Sequence, residues 1–218
     1  MKLWKTRHHS LEVLSKQFKD QSNAIDDAFQ AIDECIDLFE KKFSEDKYFL
    51  VCGLTLLKAK NLAVGMYSLT LDGLAQEAGA LARPFIEYHE LLIYFRLDPK
   101  RINEALEEKL PTAGKRAQLI KGRFKEFRDH LNNHASHSAF SNHSLLHLFD
   151  SDEKRIKKQQ KMSPNVLFRN IGNLHAHLIL LLQEAILCFG SKASIQLIQK
   201  IDQLRVNCIP LFKLDERS

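Results

Sequence analysis

The sequence predicts an all-α helical bundle of six or seven helices. Two observations carry that reading. Apolar residues recur at three- and four-residue spacing over long stretches. Helix punctuators are sparse, with 8 glycines and 5 prolines in 218 residues, too few for the many turns of an all-β fold. A chain of this length buries roughly 70% of its unfolded surface and needs no staples. One domain over residues 1–218 is therefore expected, with residues 1–20 a candidate flexible N-terminal arm.

The elements follow in order. Residues 8–21 read as a first short helix. Over residues 23–42, Ile25, Phe29, Ile32, Ile36, Phe39 and Phe43 recur at helical spacing. Ser44 is a candidate N-cap for a central apolar helix over about 45–69, with Glu45 and Asp46 favourable in its first turn. Asp72 is placed to cap a helix over 73–96. Pro84 inside that helix removes a backbone hydrogen bond, so a kink or break is expected near residues 80–84. Asp98-Pro99 is an N-cap followed by proline at the first helical position. From Gly114 to about Ala135 a long helix is expected, with Ile120, Phe124, Phe127 and Leu131 facing the core. Residues 138–162 break the pattern and read as an irregular or short hairpin insert. Ser163-Pro164 opens a last long helix that ends at Gly190, and a final helix covers about 192–206.

Composition narrows the function classes. The net charge is +5, with basic residues gathered in KRAQLIKGRFK (115–125) and EKRIKKQQK (153–161). Such clusters suit RNA or another anionic ligand, and equally a solvated helix face. Cys35, Cys52, Cys188 and Cys208 are far apart, with no C-x-x-C pair, and read as reduced core thiols of a cytoplasmic protein. The N-terminal stretch has no apolar signal-peptide core. The most apolar run, LILLLQEAILCF (178–189), is short and carries Gln183 and Glu184, so it reads as a core helix and no membrane partner is expected. There is no G-x-G-x-x-G, P-loop or G-x-S-x-G, and no cofactor is expected.

Three constellations could carry chemistry. Arg83 and Glu87 are four residues apart and so face each other on a helix. Held by its glutamate in an apolar neighbourhood, a buried Arg83 can present a guanidinium to an anion; alternatively the two form an ion pair closing the Pro84 kink. Next, HLNNHASHSAFSNHSLLH (130–147) holds five of the ten histidines. Glu126, His130, His134 and His137 fall on one helical stripe at about 100° per residue. His130, His134 and His137 can ligate a metal, completed by His89, Glu87 or Glu90 from another helix. Histidines near a helix C-terminus also interact well with its dipole without any metal. Last, histidines follow arginines at R-x(4–6)-H spacing, among other places from Arg123 to His130, Arg128 to His134 and Arg169 to His175. In the third of these, RNIGNLH (169–175), a histidine can serve as an acid–base group and an arginine can stabilise phosphate charge. Yet residues six apart point about 120° apart on a continuous helix, so the two converge only across a dimer interface or at a frayed helix start. Gly172 is placed to loosen it, and His175 also fits an ordinary core stripe.

Several of these segments carry a resemblance. ALARPFIEYHELLIYF (80–95), then LDPKRINEAL (97–106), then LNNHASHSAF (131–140) resemble a family of uncharacterised bacterial all-helical proteins with an R-P-x-x-E helix and a His-Ser helix end. That family is distantly similar to the HEPN superfamily, which includes metal-independent ribonucleases of toxin and phage-defence systems. The resemblance spans about residues 45–190. It implies Arg83, Glu87 and His137 as the positions of interest, with Ser136 an alternative equivalent of His137, and it implies a bacterial homodimer. The expected function is a non-catalytic binding or regulatory module with an internal polar site at Arg83, Glu87, His134 and His137. The alternatives are a HEPN-like ribonuclease using Arg169 and His175, and a His-rich metal-binding bundle.

Overall fold

The computed structural model describes residues 4–122, 124–134, 148–150, 154–156 and 163–212. The chain is an all-α bundle. Helices α1 (Lys5–Gln17), α2 (Lys19–Lys42), α3 (Lys47–Leu71) and α4 (Ala75–Leu97) come first. A 3-10 turn (Pro99–Arg101), α5 (Ile102–Leu106), α6 (Ala113–Leu119) and α7 (Lys125–His134) follow. After a two-strand ladder come α8 (Pro164–Phe189), a second 3-10 turn (Gly190–Lys192) and α9 (Ile195–Leu211).

The long apolar helices make one core. α4 packs along α3, and α2, α3 and α4 all pack against α8. Phe39, Leu56, Phe85, Leu92, Leu178 and Leu182 are sealed among them, and burying each such side chain stabilises the fold by roughly 1.5–3 kcal/mol. α3, and α8 with its 3-10 extension, are long and apolar enough to cross a membrane, and 50% and 56% of their most apolar windows are buried inside the bundle. All four cysteines are free; Cys208 is half-buried and the rest are buried.

Several helix ends match expectation. Asp98 accepts from Lys100 N at 3.2 Å, ahead of Pro99. Ser163 accepts from Val166 N at 3.3 Å and Pro164 opens α8. Gly190, at φ +56°, ends it, a backbone conformation that costs glycine little. The expected hairpin is the ladder pairing Phe149 with Ile156 and Asp150 with Arg155.

Others differ. Residues 4–20 are no free arm: Ser10, Val13 and Leu14 of α1 are buried, and Arg7 forks onto Asp72 at 2.7 and 2.6 Å. Asp72 is thus an anchor for α1 rather than a cap, and α4 starts at Ala75 with no side-chain cap. The N-cap of α3 is Asp46, which accepts from Tyr48 N at 2.8 Å, not Ser44. α4 runs unbroken through Pro84, so of the kink or break expected near 80–84 the break does not occur; packing along α3 and α8 outweighs one lost hydrogen bond. The helix expected from Gly114 to Ala135 divides into α6 and α7, which is one reason the helical segments outnumber the six or seven expected. Lys121 adopts φ +50°. Its N–H donates to Gln118 O at 3.2 Å and Gly122 N–H donates to Ala117 O at 2.8 Å. These paired bonds are the Schellman closure that satisfies the last carbonyls of a helix.

Candidate functional site

The division of that helix builds the site. Arg83, Glu87 and Glu90 lie on one stripe of α4, since positions i, i+4 and i+7 share a helical face. Opposite them stand α6, the Lys121-Gly122 turn and the first turns of α7. Between the two walls is a groove of about 400 Å3, lined by Arg83 and Glu87 on one side and by Lys121, Gly122, Lys125, Arg128 and Asp129 on the other.

Burial deepens along the α4 stripe. Arg83 Nε meets Glu87 Oε1 at 3.2 Å, with the Arg83 side chain 53% exposed. The burial expected for Arg83 is therefore not found; its head reaches into the mouth of the groove, while the apolar neighbours Phe85 and Ile86 turn to the core. Glu90, one turn on, is sealed. Its side chain is 1% exposed and Oε2 accepts from Arg128 Nη1 at 2.8 Å. Oε1 is buried with no hydrogen-bond partner. It sits directly beneath Gly122, where an added Cβ would come within 2.7 Å of it. Burial raises the Glu90 pKa, opposed by the Arg128 charge, raised again by Glu87 and lowered by Arg116. Arg116 Nη1 donates to Pro111 O, while its Nε is buried without a partner.

No family model, curated protein or solved structure matches the chain. The site's chemistry rests on its own geometry. Four cations, Arg83, Lys121, Lys125 and Arg128, line the groove against two acids, Glu87 and Asp129, with Glu90 behind the wall. Such a surface attracts anions.

The remaining expected residues lie elsewhere. His130 and His134 belong to α7, but their side chains, and all of His137 and Ser136, lie outside the described residues. No group of three or more histidine, cysteine or acidic side chains able to hold a metal occurs among the described residues. Arg169 and His175 share the continuous helix α8, and Gly172 does not interrupt it; instead the Phe212 ring rests on Gly172, 2.8 Å from where a Cβ would stand. Arg169 is exposed and His175 is fully buried, so the structure does not bring them together within one chain. His175 Nδ1 lies 3.3 Å from Cys208 Sγ, its ring packs 5.0 Å from Phe212, and Nε2 makes no hydrogen bond. Burial pushes its pKa down to about 4, only partly opposed by the Ala24 backbone.

A second cavity, about 510 Å3, lies between α4, α8 and α9. Its wall is mostly apolar, including Ile93, Phe124, Leu180 and Ile201, and its acids are already paired, Glu184 with Arg96 and Asp202 with Arg205.

Arg83 and Glu87 and the basic run at 115–125 each stand out in the sequence, but no local pattern joins them. Arg128 stands out there only as a partner for His134. The missed signal is Gly122 in KGRF: a glycine within an expected helix marks a helix end or a close approach, and here it marks both.

Proposed function

We propose that this protein is a binding module that takes a small anionic ligand in the groove between α4, α6 and α7. The observation that carries the reading is the convergence of Arg83, Lys121, Lys125 and Arg128 on one concave surface. Arg83 uses Nε on Glu87 and Arg128 uses Nη1 on Glu90, so each guanidinium keeps donors for a ligand oxygen. Lys121 and Lys125 form no ion pair among the described residues. They add point charges without geometric demands. The fit is to a carboxylate, sulfate or phosphoryl group.

The test is thermal unfolding in sulfate against chloride at matched ionic strength. A ligand at about 100 times its Kd stabilises the folded state by roughly 2.7 kcal/mol. Sulfate is expected to raise the wild-type Tm, and Arg83→Ala to lose that rise while keeping its sulfate-free Tm. An unchanged wild-type Tm in sulfate, or an Arg83→Ala variant that responds like wild type, overturns the reading.

A further inference from the structure

We propose that Glu90 is a positioning residue for anion binding: from beneath Gly122 it fixes the Arg128 guanidinium in the wall of the groove. The inference rests on the anion-binding reading above and adds how that site is set.

Three observations carry it. Arg128 is the groove cation with a buried carboxylate partner, at 2.8 Å from an oxygen that is almost wholly sealed. The contact uses one oxygen and one guanidinium nitrogen, so it orients the guanidinium without consuming its remaining donors. The second oxygen, Oε1, has no partner and lies against the backbone of Gly122. That position tolerates no side chain without displacing the carboxylate. Gly122 does not need a positive φ, since Lys121 supplies the left-handed residue of this turn. Its lack of a side chain instead lets the turn close over Glu90. A guanidinium held in advance loses less freedom when a ligand arrives, and that raises affinity.

Positioning and plain charge act on anion affinity with opposite signs. Glu90 is an anion behind an anion site. On Coulomb grounds alone, removing its charge should tighten anion binding. If Glu90 acts by holding Arg128, removing its charge should loosen binding instead. Sulfate is the probe, because its own charge does not change over the range in which proteins stay folded. Glu90→Gln is expected to bind sulfate about threefold or more weaker than wild type, the scale of one lost charge-assisted contact partly offset by reduced repulsion. Gly122→Ala keeps every charge but pushes Oε1 aside, and it is expected to weaken sulfate binding in the same direction. It also decides the matter if Glu90→Gln does not fold.

A pH profile supplies a readout that a merely structural role would not move. The groups acting on Glu90 are Arg128 from α7, Arg116 from α6 and Glu87 from its own helix. Because burial raises its pKa, Glu90 takes up a proton earlier than an ordinary carboxylate as pH falls, and it then releases Arg128. Glu87 and Asp129 also line the groove, and their negative charge opposes an anion there. Wild-type sulfate affinity is expected to fall with pH, and Glu90→Gln to lack that fall. Sulfate binding that is as tight or tighter in both variants, with Arg83→Ala still losing it, overturns the role of Glu90 and leaves the groove reading standing. A wild type that does not respond to sulfate overturns both.

Discussion

Two arginine motifs sit in two long apolar helices of this bundle, and they meet opposite fates. In α4, Arg83 and Glu87 are four residues apart, share a face, and open onto a groove. In α8, Arg169 and His175 are six apart. One points to solvent and the other is sealed under α9 by Cys208 and Phe212. Both strings look like chemistry when read linearly. Only the first keeps its two side chains on one side of a 3.6-residue helix. The difference teaches that a two-residue motif on a helix is first a statement about rotation. A spacing of four makes a pair, while a spacing of six splits one residue to each side unless the helix is broken between them.

The sharpest way to break this comparison is to remove the cation from the groove wall. Arg128→Met leaves Glu90 buried and without its partner. Removing one member of a buried pair typically costs about 3–5 kcal/mol. Guanidinium chloride unfolding near neutral pH is expected to show a loss of that order. The sign with pH then checks the cause. Without Arg128 the Glu90 pKa rises further, so the native state binds a proton that the unfolded state does not. Stability relative to wild type should therefore recover as pH falls. A deficit that stays constant with pH would mean that lost packing, not a stranded carboxylate, sets the cost.

The α8 region responds to acid with the opposite sign. The folded-state pKa of His175 is pushed from 6.5 down to about 4. Between those values the unfolded chain holds a proton that the native protein refuses, so stability falls with pH across that window. The total is on the order of 3 kcal/mol for one such histidine. His175→Leu is expected to flatten the decline of unfolding free energy over that range. His177, also pushed down by burial, leaves a residual slope of the same sign. If the variant keeps the whole wild-type slope, His175 is not sealed as the structure places it.

How much of this was legible in the chain varies with the physics behind each feature. The all-α architecture followed from periodicity, because burying an apolar stripe is what makes these helices form. The start and end of α8 followed from Ser163, Pro164 and Gly190, whose chemistry is local. Asp72 looked like a cap because it stands at a helix junction, but its partner, Arg7, lies 65 residues away, and no local rule names it. The groove was half legible. Arg83 and Glu87 were visible as a pair, yet their depth depends on α6 ending before Lys121. That ending rests on a lysine in the left-handed region, which composition does not announce. Glu90 was visible only as a possible metal ligand, since its burial and its partner Arg128 are both tertiary facts.

The smallest expected effect is also the cleanest comparison. Arg83→Ala and Arg169→Ala each remove an arginine that is exposed over much of its surface, and each should cost less than about 1 kcal/mol of stability. For Arg83 the lost ion pair with Glu87 is a surface i, i+4 contact, worth roughly 0.3–0.5 kcal/mol. By melting alone the two variants should be nearly indistinguishable. Sulfate should part them. Arg83 faces a groove with three other cations, so its removal takes donors from a site. Arg169 lines neither of the two cavities described above, so its removal takes only a diffuse charge, and its variant should keep the full sulfate response. If Arg169→Ala instead loses the response as completely as Arg83→Ala, the stabilisation comes from overall positive charge rather than from a place. The contrast between the two helices would then be one of geometry without consequence for binding.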